Sequence, residues 1–263
     1  MQLEMLRNSW LFGGLTDWAF ARICSSVRHR VQDFEKKSVL IHQGDQVTEI
    51  GVLLKGNLLS EKYHLNGRVQ IIRIFSPYSV VNLDAVNSSS GVSSTTIASN
   101  KGGSIVWLSF DDLTRGEGVP AETRNMILKR MMTIIADDNI HLTYKSEILA
   151  VHTVRGRILA YLGIVAGNTG GAGSRSSGGN NAATGNNAAT GNNGGVGSSG
   201  GNNIAAGNKG GAMNGHGAAV HIGMNQEEFA QYLCVDRSSL SLELNKLRRD
   251  GIIDFDKENI LLK

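Results

Sequence analysis

The period of the apolar positions changes several times along this chain, and each change marks an element. Up to about residue 30, Leu3, Leu6, Trp10, Leu11, Trp18, Phe20 and Ile23 lie among polar positions and read as helix. From Val31 to about Leu108 the apolar runs become short: Val39–Ile41, Val52–Leu54, Val69 to Phe75 and Ile105–Leu108. Turn signals separate them, at Gln43-Gly44-Asp45, Lys55-Gly56-Asn57, Asn66-Gly67 and Pro77. Short strands at regular spacing with Gly and Asn turns predict an antiparallel barrel or roll, and Asn66-Gly67 is a hairpin turn.

From about Pro120 to Leu149 the period is helical, with two apolar stripes. Ile127, Met131, Ile134 and Ile148 lie near one face; Leu128, Met132, Ile135, Leu142 and Leu149 lie on the adjacent one. A helix this long with so wide an apolar surface must bury two sides. One side is expected to cover the roll. The other, assigned to Ile127, Met131, Ile134 and Ile148, is expected to pair with a second copy as a two-stranded coiled coil. Asp138, His141 and Lys145 interrupt the first stripe and read as solvated positions where the two helices diverge, with an effector contact as the alternative.

The C-terminal pattern names a function class. Asn225 is an N-cap with Glu228 three residues on, the two ends of a capping box. Phe229, Ala230 and Leu233 form a helical stripe that stops at Cys234-Val235. Asp236 caps a second helix with Leu240, Leu244 and Leu247 on one face, and Gly251 ends it after Lys246, Arg248 and Arg249. Two helices around so short a turn predict a helix-turn-helix, whose second helix fits a DNA major groove. Ile252, Ile253 and Phe255, the turn 256–259 and Ile260-Leu261-Leu262 follow as a β-hairpin, the wing of a winged helix.

Gly167 to about Ala218 is built from Gly, Asn, Ala and Ser and holds the tandem repeat GNNAAT. Such a segment cannot offset the entropy of ordering, so it is expected to be a disordered insertion. Lengthening a loop tenfold costs only about 2 kcal/mol in closure entropy, so the domain around it can still fold. No apolar run reaches the ~18 residues of a membrane helix, and the N-terminus lacks an apolar signal region, which places the chain in the cytoplasm without a membrane partner. Cys24 and Cys234 are too few for a disulfide framework or a metal cluster, so no metal and no cofactor are expected. No nucleophile–base pair or phosphate loop is visible, which argues against an enzyme. The net charge of +3 is modest for a nucleic-acid binder, and the part after residue 219 is slightly acidic.

The order of these parts resembles the Crp/Fnr family of bacterial transcription regulators. KSVLIHQGDQVTEIGVLLKGNLLSEKYHLNGRVQIIRIF is similar to that family's effector domain, notably at His42-Gln43-Gly44-Asp45 and Leu54-Lys55-Gly56. VRGRILAYLGIV resembles the helix before its helix-turn-helix, and NQEEFAQYLCVDRSSLSLELNKLRRDGII the motif itself. The resemblance implies an α+β chain: an antiparallel, jelly-roll-like β-roll with N-terminal helices (1–118), a dimerisation helix (119–150) and a winged helix-turn-helix (151–263) interrupted at 167–218. It also implies double-stranded DNA with a palindromic operator, a second copy of the chain and RNA polymerase as partners.

The family's cyclic AMP receptor branch carries Gly-Glu and Arg-Ser in a phosphate-binding cassette. By alignment Asn82-Leu83 and Ser93-Ser94 stand at those places, so cyclic AMP is not the expected effector. The family's pocket lies between roll and long helix, which makes Asn82, Asp84, Ser93, Ser94 and Thr95, with Thr133 or Asn139, the candidate contacts to a neutral or weakly polar small molecule. On the DNA side Arg237 stands where the family places a base-reading Arg. Ser238 and Leu242 stand where Glu and Arg often occur, and Leu242 can offer only an apolar contact. Ser239, Ser241 and the capped helix start at Asn225-Gln226 are candidate phosphate contacts. Cys234 replaces a usual Gly of the turn. The alternative to a working regulator is a ligand-binding module whose DNA-binding domain has degenerated.

Overall fold

The computed structural model describes residues 2–170, 219–256 and 259–262. Of the disordered insertion expected at 167–218, residues 171–218 lie outside the described residues, whereas 167–170 are the last turn of a helix, a correction to where it begins. A 3-10 turn at Leu3–Asn8 and helix α1 (Asp17–Ser26) precede the roll. Its strands are β1 (His29–Phe34), β2 (Val39–Ile41), β3 (Glu49–Tyr63), β4 (Val69–Phe75), β5 (Val80–Val81) and β6 (Thr96–Ser109), with the short helix α2 (Leu83–Val86) between β5 and β6. All pairings are antiparallel in the order β1-β6-β3-β4, with β2 also on β6 and β5 on β3.

The uninterrupted apolar runs of β3 and β6 follow from burial on both faces. Leu53, Leu58, Ile105 and Trp107 point into the roll with Phe34, Phe75, Val81 and Ile97. Val52, Leu54, Val106 and Leu108 point the other way, onto α1 and the first half of the long helix. Alternation still governs these strands, but an apolar neighbour waits on each side. Where the two strands cross, Gly56 has φ +86° and the β6 backbone at Gly102 and Gly103 runs against it.

Helix α3 (Phe110–Arg115) leads into α4 (Ala121–Ala150), followed by α5 (Val154–Gly170), β7 (Ala219–His221), α6 (Gln226–Leu233), α7 (Arg237–Arg249), β8 (Ile253–Asp256) and β9 (Asn259–Leu262). The expected wing is present as β8–β9, and β7 adds a third strand that the sequence pattern did not reveal. The C-terminal helices and this small sheet share one core, which also takes in Leu59 and Ile71 of the roll and Ile148 of α4.

One expectation is overturned. Ile127, Met131, Ile134 and Ile148, assigned to a partner copy, are at most 4% exposed within the single chain. The first three pack on the roll's outer core and Ile148 on the C-terminal core. The apolar side that α4 leaves more open is the neighbouring stripe, with Met132 and Leu142 exposed at 71% and 48%. No helix among the described residues is long and apolar enough to cross a membrane.

The crossing of β3 and β6 yields a stability test. In Gly56→Ala the new Cβ would lie 2.7 Å from the Gly102 carbonyl oxygen, in a backbone conformation that disfavours L side chains by about 1–2 kcal/mol. The expected result is a urea midpoint shift corresponding to a loss of about 2 kcal/mol or more; an unshifted midpoint would contradict the close approach.

Candidate functional site

A cavity of about 160 Å³ lies between the roll and α4. Ser60 and Arg73 line it from β3 and β4, Asn82, Leu83 and Asp84 from the start of α2, and Ser93, Ser94 and Thr95 from the loop before β6. Helix α4 contributes Asp138, His141 and Leu142. The sequence candidates Asn82, Asp84, Ser93, Ser94 and Thr95 thus meet in one place. Thr133 and Asn139 do not line the cavity; both are exposed, turned about the helix axis from Asp138 and His141. For the latter two and Lys145 the solvated reading does not hold. They face inward instead, because they continue the same stripe as Ile134 and Ile148.

The cavity carries polar atoms without partners in the chain. Asn82 is 4% exposed, and its Nδ2 has no hydrogen-bond partner; neither does Asp138 Oδ1 nor His141 Nε2. Asn82 adopts φ +66°, a left-handed conformation that Asn tolerates well, and so turns its amide inward at the head of α2. Leu83, aligned with the family's ribose-binding Glu, is buried in the outer core and offers no acceptor. The guanidinium of Arg73 pairs with Asp138 and stacks over Phe75. Burial raises the Asp138 carboxyl pKa against the pull of Arg73. Burial, then the charges of Arg73 and Lys145, lower the His141 pKa to about 4, so its ring is neutral at physiological pH.

One turn further along α4, Lys145 is 4% exposed. Its Nζ donates to the Ile71 and Ile72 carbonyls of β4 and lies 3.7 Å from the ring centroid of Tyr232 on α6. Burial brings its pKa down to about 7. The Tyr232 ring packs in turn on Tyr161 of α5, with centroids 5.6 Å apart. A second cation closes the same junction. The Arg157 guanidinium donates to Leu149 and Val151 carbonyls at the end of α4 and to Leu233 and Cys234 carbonyls at the end of α6, at 2.8–3.2 Å. Two helix C-termini present unpaired carbonyls there, and one guanidinium serves both.

The helix-turn-helix forms as its sequence requires. Asn225 Oδ1 accepts the Glu227 and Glu228 N–H groups, and Glu228 accepts the Asn225 N–H, completing the capping box. The box occupies the Asn225 N–H, one of the groups expected to meet phosphate at Asn225-Gln226. Cys234 ends α6 at φ +54°, the left-handed conformation in which Gly would carry no steric cost. The Val235 N–H bonds back to Ala230 O at 3.0 Å and closes the turn. Helix α7 starts after Asp236, whose side chain makes no cap bond. Leu240, Leu244 and Leu247 are buried, while Arg237, Ser238, Leu242, Asn245 and Arg249 stand on the outer face, with Ser239 and Ser241 half-buried beside it. Arg237 approaches Glu227 only at 3.8 Å, with both side chains about two-thirds exposed, so the pair is weak.

Sequence comparison matches residues 31–114 to the cyclic nucleotide-binding domain and residues 205–263 to the Crp-like helix-turn-helix domain. The chain belongs to the Crp/Fnr family of transcription regulators. Solved structures of similar fold include a CooA mutant from Carboxydothermus hydrogenoformans, with 14% identity, TM-score 0.63 and coverage of 100% of this chain and 92% of that one. The c-di-GMP responsive global regulator CLP of Xanthomonas campestris aligns with 12% identity, TM-score 0.62 and coverage of 94% and 99%. FixK2 from Bradyrhizobium japonicum aligns with 14% identity, TM-score 0.59 and coverage of 90% and 93%. No curated protein sequence matches the chain. At these identities the structures establish the shared fold of this regulator and nothing about its ligand.

The Arg73–Asp138 pair gives a measurable consequence. Arg73→Met removes the guanidinium and leaves the Asp138 carboxylate buried without a counter-charge, which costs about 3 kcal/mol or more. With its folded pKa raised further above the unfolded value, Asp138 penalises the variant at high pH and is relieved as it protonates. Denaturant melts should therefore show a larger deficit at pH 8 than at pH 5; a deficit independent of pH would mean that Asp138 is hydrated.

Proposed function

We propose that this chain is a homodimeric regulator that reads a palindromic operator through α7 and responds to a small effector held between the roll and α4. The cavity's unpartnered polar atoms carry the effector part. Asn82 Nδ2 asks for an acceptor; Asp138 Oδ1, while ionised, asks for a donor; neutral His141, whose ring donates to the Ile72 carbonyl, leaves Nε2 as an acceptor that also asks for a donor. The positive charge of Arg73 is already taken by Asp138, and Asp84 adds a further carboxylate at the wall, so among the described residues that line the cavity no cationic group is free for a phosphate. Sites for drug-sized ligands run to about 300–1,000 Å³, and this one is smaller. A small neutral molecule with a donor and an acceptor fits, and cyclic AMP does not.

The dimer part is supported by the stripe beside the buried face of α4. Leu128, Met132, Ile135, Leu142 and Leu149 follow one another at spacings of four, three, seven and seven, the pattern of a two-stranded coiled-coil seam; Met132 and Leu142 are exposed, while Leu128 and Ile135 also pack partly on the roll's outer core. Leu142 belongs both to this stripe and to the cavity wall, so a second copy would close the cavity's outer side. With residues 1–118 as sensor, 119–150 as dimer helix and 151–263 as reader, two α7 helices about 34 Å apart would enter successive major grooves. The degenerate-reader alternative is disfavoured by the capping box, the buried leucines of α7 and the closed turn, all of which are intact.

Selection of binding sites from random DNA should return two inverted half-sites about 10 base pairs apart, centre to centre. Arg237→Ala should then weaken binding to the selected site by roughly 10- to 100-fold and relax preference at one base pair. Recovery of no enriched sequence, or an unchanged affinity in the variant, would refute the reader assignment. For the effector, calorimetry with cyclic AMP should give no micromolar binding, and a micromolar isotherm would overturn the assignment of the cavity.

A further inference from the structure

The junction between sensor and reader holds a charge that the regulator assignment does not use. Lys145 belongs to α4, donates to the backbone of β4 and lies under a ring of α6, so one amine touches the dimer helix, the roll and the helix-turn-helix together. Among the described residues no carboxylate pairs with it. The groups that face it are His141 on its own helix, Arg73 on β4, Tyr232 and Cys234 on α6 and its turn, and Tyr161 behind Tyr232 on α5. Burial pushes both tyrosines and the Cys234 thiol up and His141 down, so all four are neutral near pH 7. Arg73 is cationic and engaged with Asp138. An ammonium at this place has carbonyls and a ring face but no anion.

We propose that Lys145 couples docking to its own deprotonation: the helix-turn-helix docks against β4 over a buried neutral amine, and protonation loosens the domain from the roll. The geometry fixes the direction. Docking strips water from Lys145, whereas an undocked Lys145 is hydrated and charged. The amine sits at about 7 when docked, against 10.5 ordinarily, so the docked state binds fewer protons. Docking is then strongest at high pH, weakens as pH falls from the ordinary lysine value, and levels off below about 7. His141, lowered to about 4, acts in the same direction but in a separate window below its ordinary 6.5. A cleft of about 450 Å³ between the β3–β4 turn and the α6–α7 turn, lined by Arg68, Gln70, Gln231 and Cys234, opens beside this junction. The proposal goes beyond the regulator assignment, because it concerns docking in the absence of DNA and effector.

Hydrogen–deuterium exchange of the full chain, without DNA or ligand, tests it. Protection factors of residues 69–75 and 226–233, corrected for the intrinsic pH dependence of exchange, should rise by up to about tenfold per pH unit between pH 7.5 and 9. The β1 and β6 segments should stay flat. Lys145→Met should keep both junction segments protected and abolish the slope, and Cys234→Ser should retain it. A flat wild type, a slope shared by β6, a slope surviving in Lys145→Met or one lost in Cys234→Ser would each overturn the coupling. None of these outcomes bears on whether the protein binds DNA, and loss of DNA binding would leave the coupling intact.

Discussion

One helix has to satisfy two domains. Along its first half α4 buries Ile127, Met131 and Ile134 against the roll; near its end Ile148 enters the core of the helix-turn-helix domain. Between them the same face carries Asp138, His141 and Lys145. An apolar stripe running through would have fused the two cores into one rigid body. The polar interruption instead leaves a cavity at Asp138 and His141 and a buried amine at Lys145. Removing an ammonium from water costs several kcal/mol. A desolvated cation–π contact returns about 2 kcal/mol, and the Ile71 and Ile72 carbonyls return part of the remainder. The part left uncompensated favours the neutral amine at this junction.

The parts that repeat a period were legible in the sequence. The strand runs, the long helix, the capping box at Asn225 and the leucine face of α7 all appear where the pattern puts them, because each is a local rule satisfied locally. The pattern failed where a choice depended on what packs nearby. Two adjacent stripes on α4 were visible, but periodicity cannot say which meets the chain's own roll; the roll took Ile127, Met131 and Ile134. Polar residues in a stripe likewise read as solvated until β4 is seen to cover them. Of the candidate site, the contributions from the start of α2 and from the loop before β6 were found by alignment. Arg73 and Ser60 carry no signal, and Asp138 and His141 offer an effector contact only as the alternative reading, because three separate elements bring the four together. Arg157 had no signal either, since its four carbonyl partners are backbone atoms and leave no trace in side-chain identity.

The turn of the helix-turn-helix shows the same division of labour. Cys234 in a left-handed conformation is strained by about 1 kcal/mol relative to Gly. Arg157 compensates from outside the motif by donating to the carbonyls of Leu233 and Cys234. The same guanidinium binds Leu149 and Val151 at the end of α4, so the geometry of the turn is tied to the geometry of the hinge between dimer helix and reader. A tilt of α5 would pull on both ends, and the recognition helix would follow without any change in its own residues.

Magnitudes also limit what an effector alone can do. Moving a two-state equilibrium from 1:99 to 99:1 requires about 5.5 kcal/mol of differential binding. An occupant of the cavity that satisfies Asn82, Asp138 and His141 gains three hydrogen bonds, which at a central value of about 1 kcal/mol each fall short of that in one copy. The rest then comes from a surface that the occupied and empty states cover differently. Leu142 supplies the connection, since it lines the cavity and stands on the open stripe of α4 with Met132. In the proposed dimer, an occupant that reseats Leu142 would change how two α4 helices pack, and burying one such side chain contributes about 1.5–3 kcal/mol. Added to the three hydrogen bonds of the same copy, that brings the total to the size the shift requires. The proposed response is therefore a property of the seam as much as of the cavity, and an occupant that filled the cavity without moving Leu142 would bind without switching.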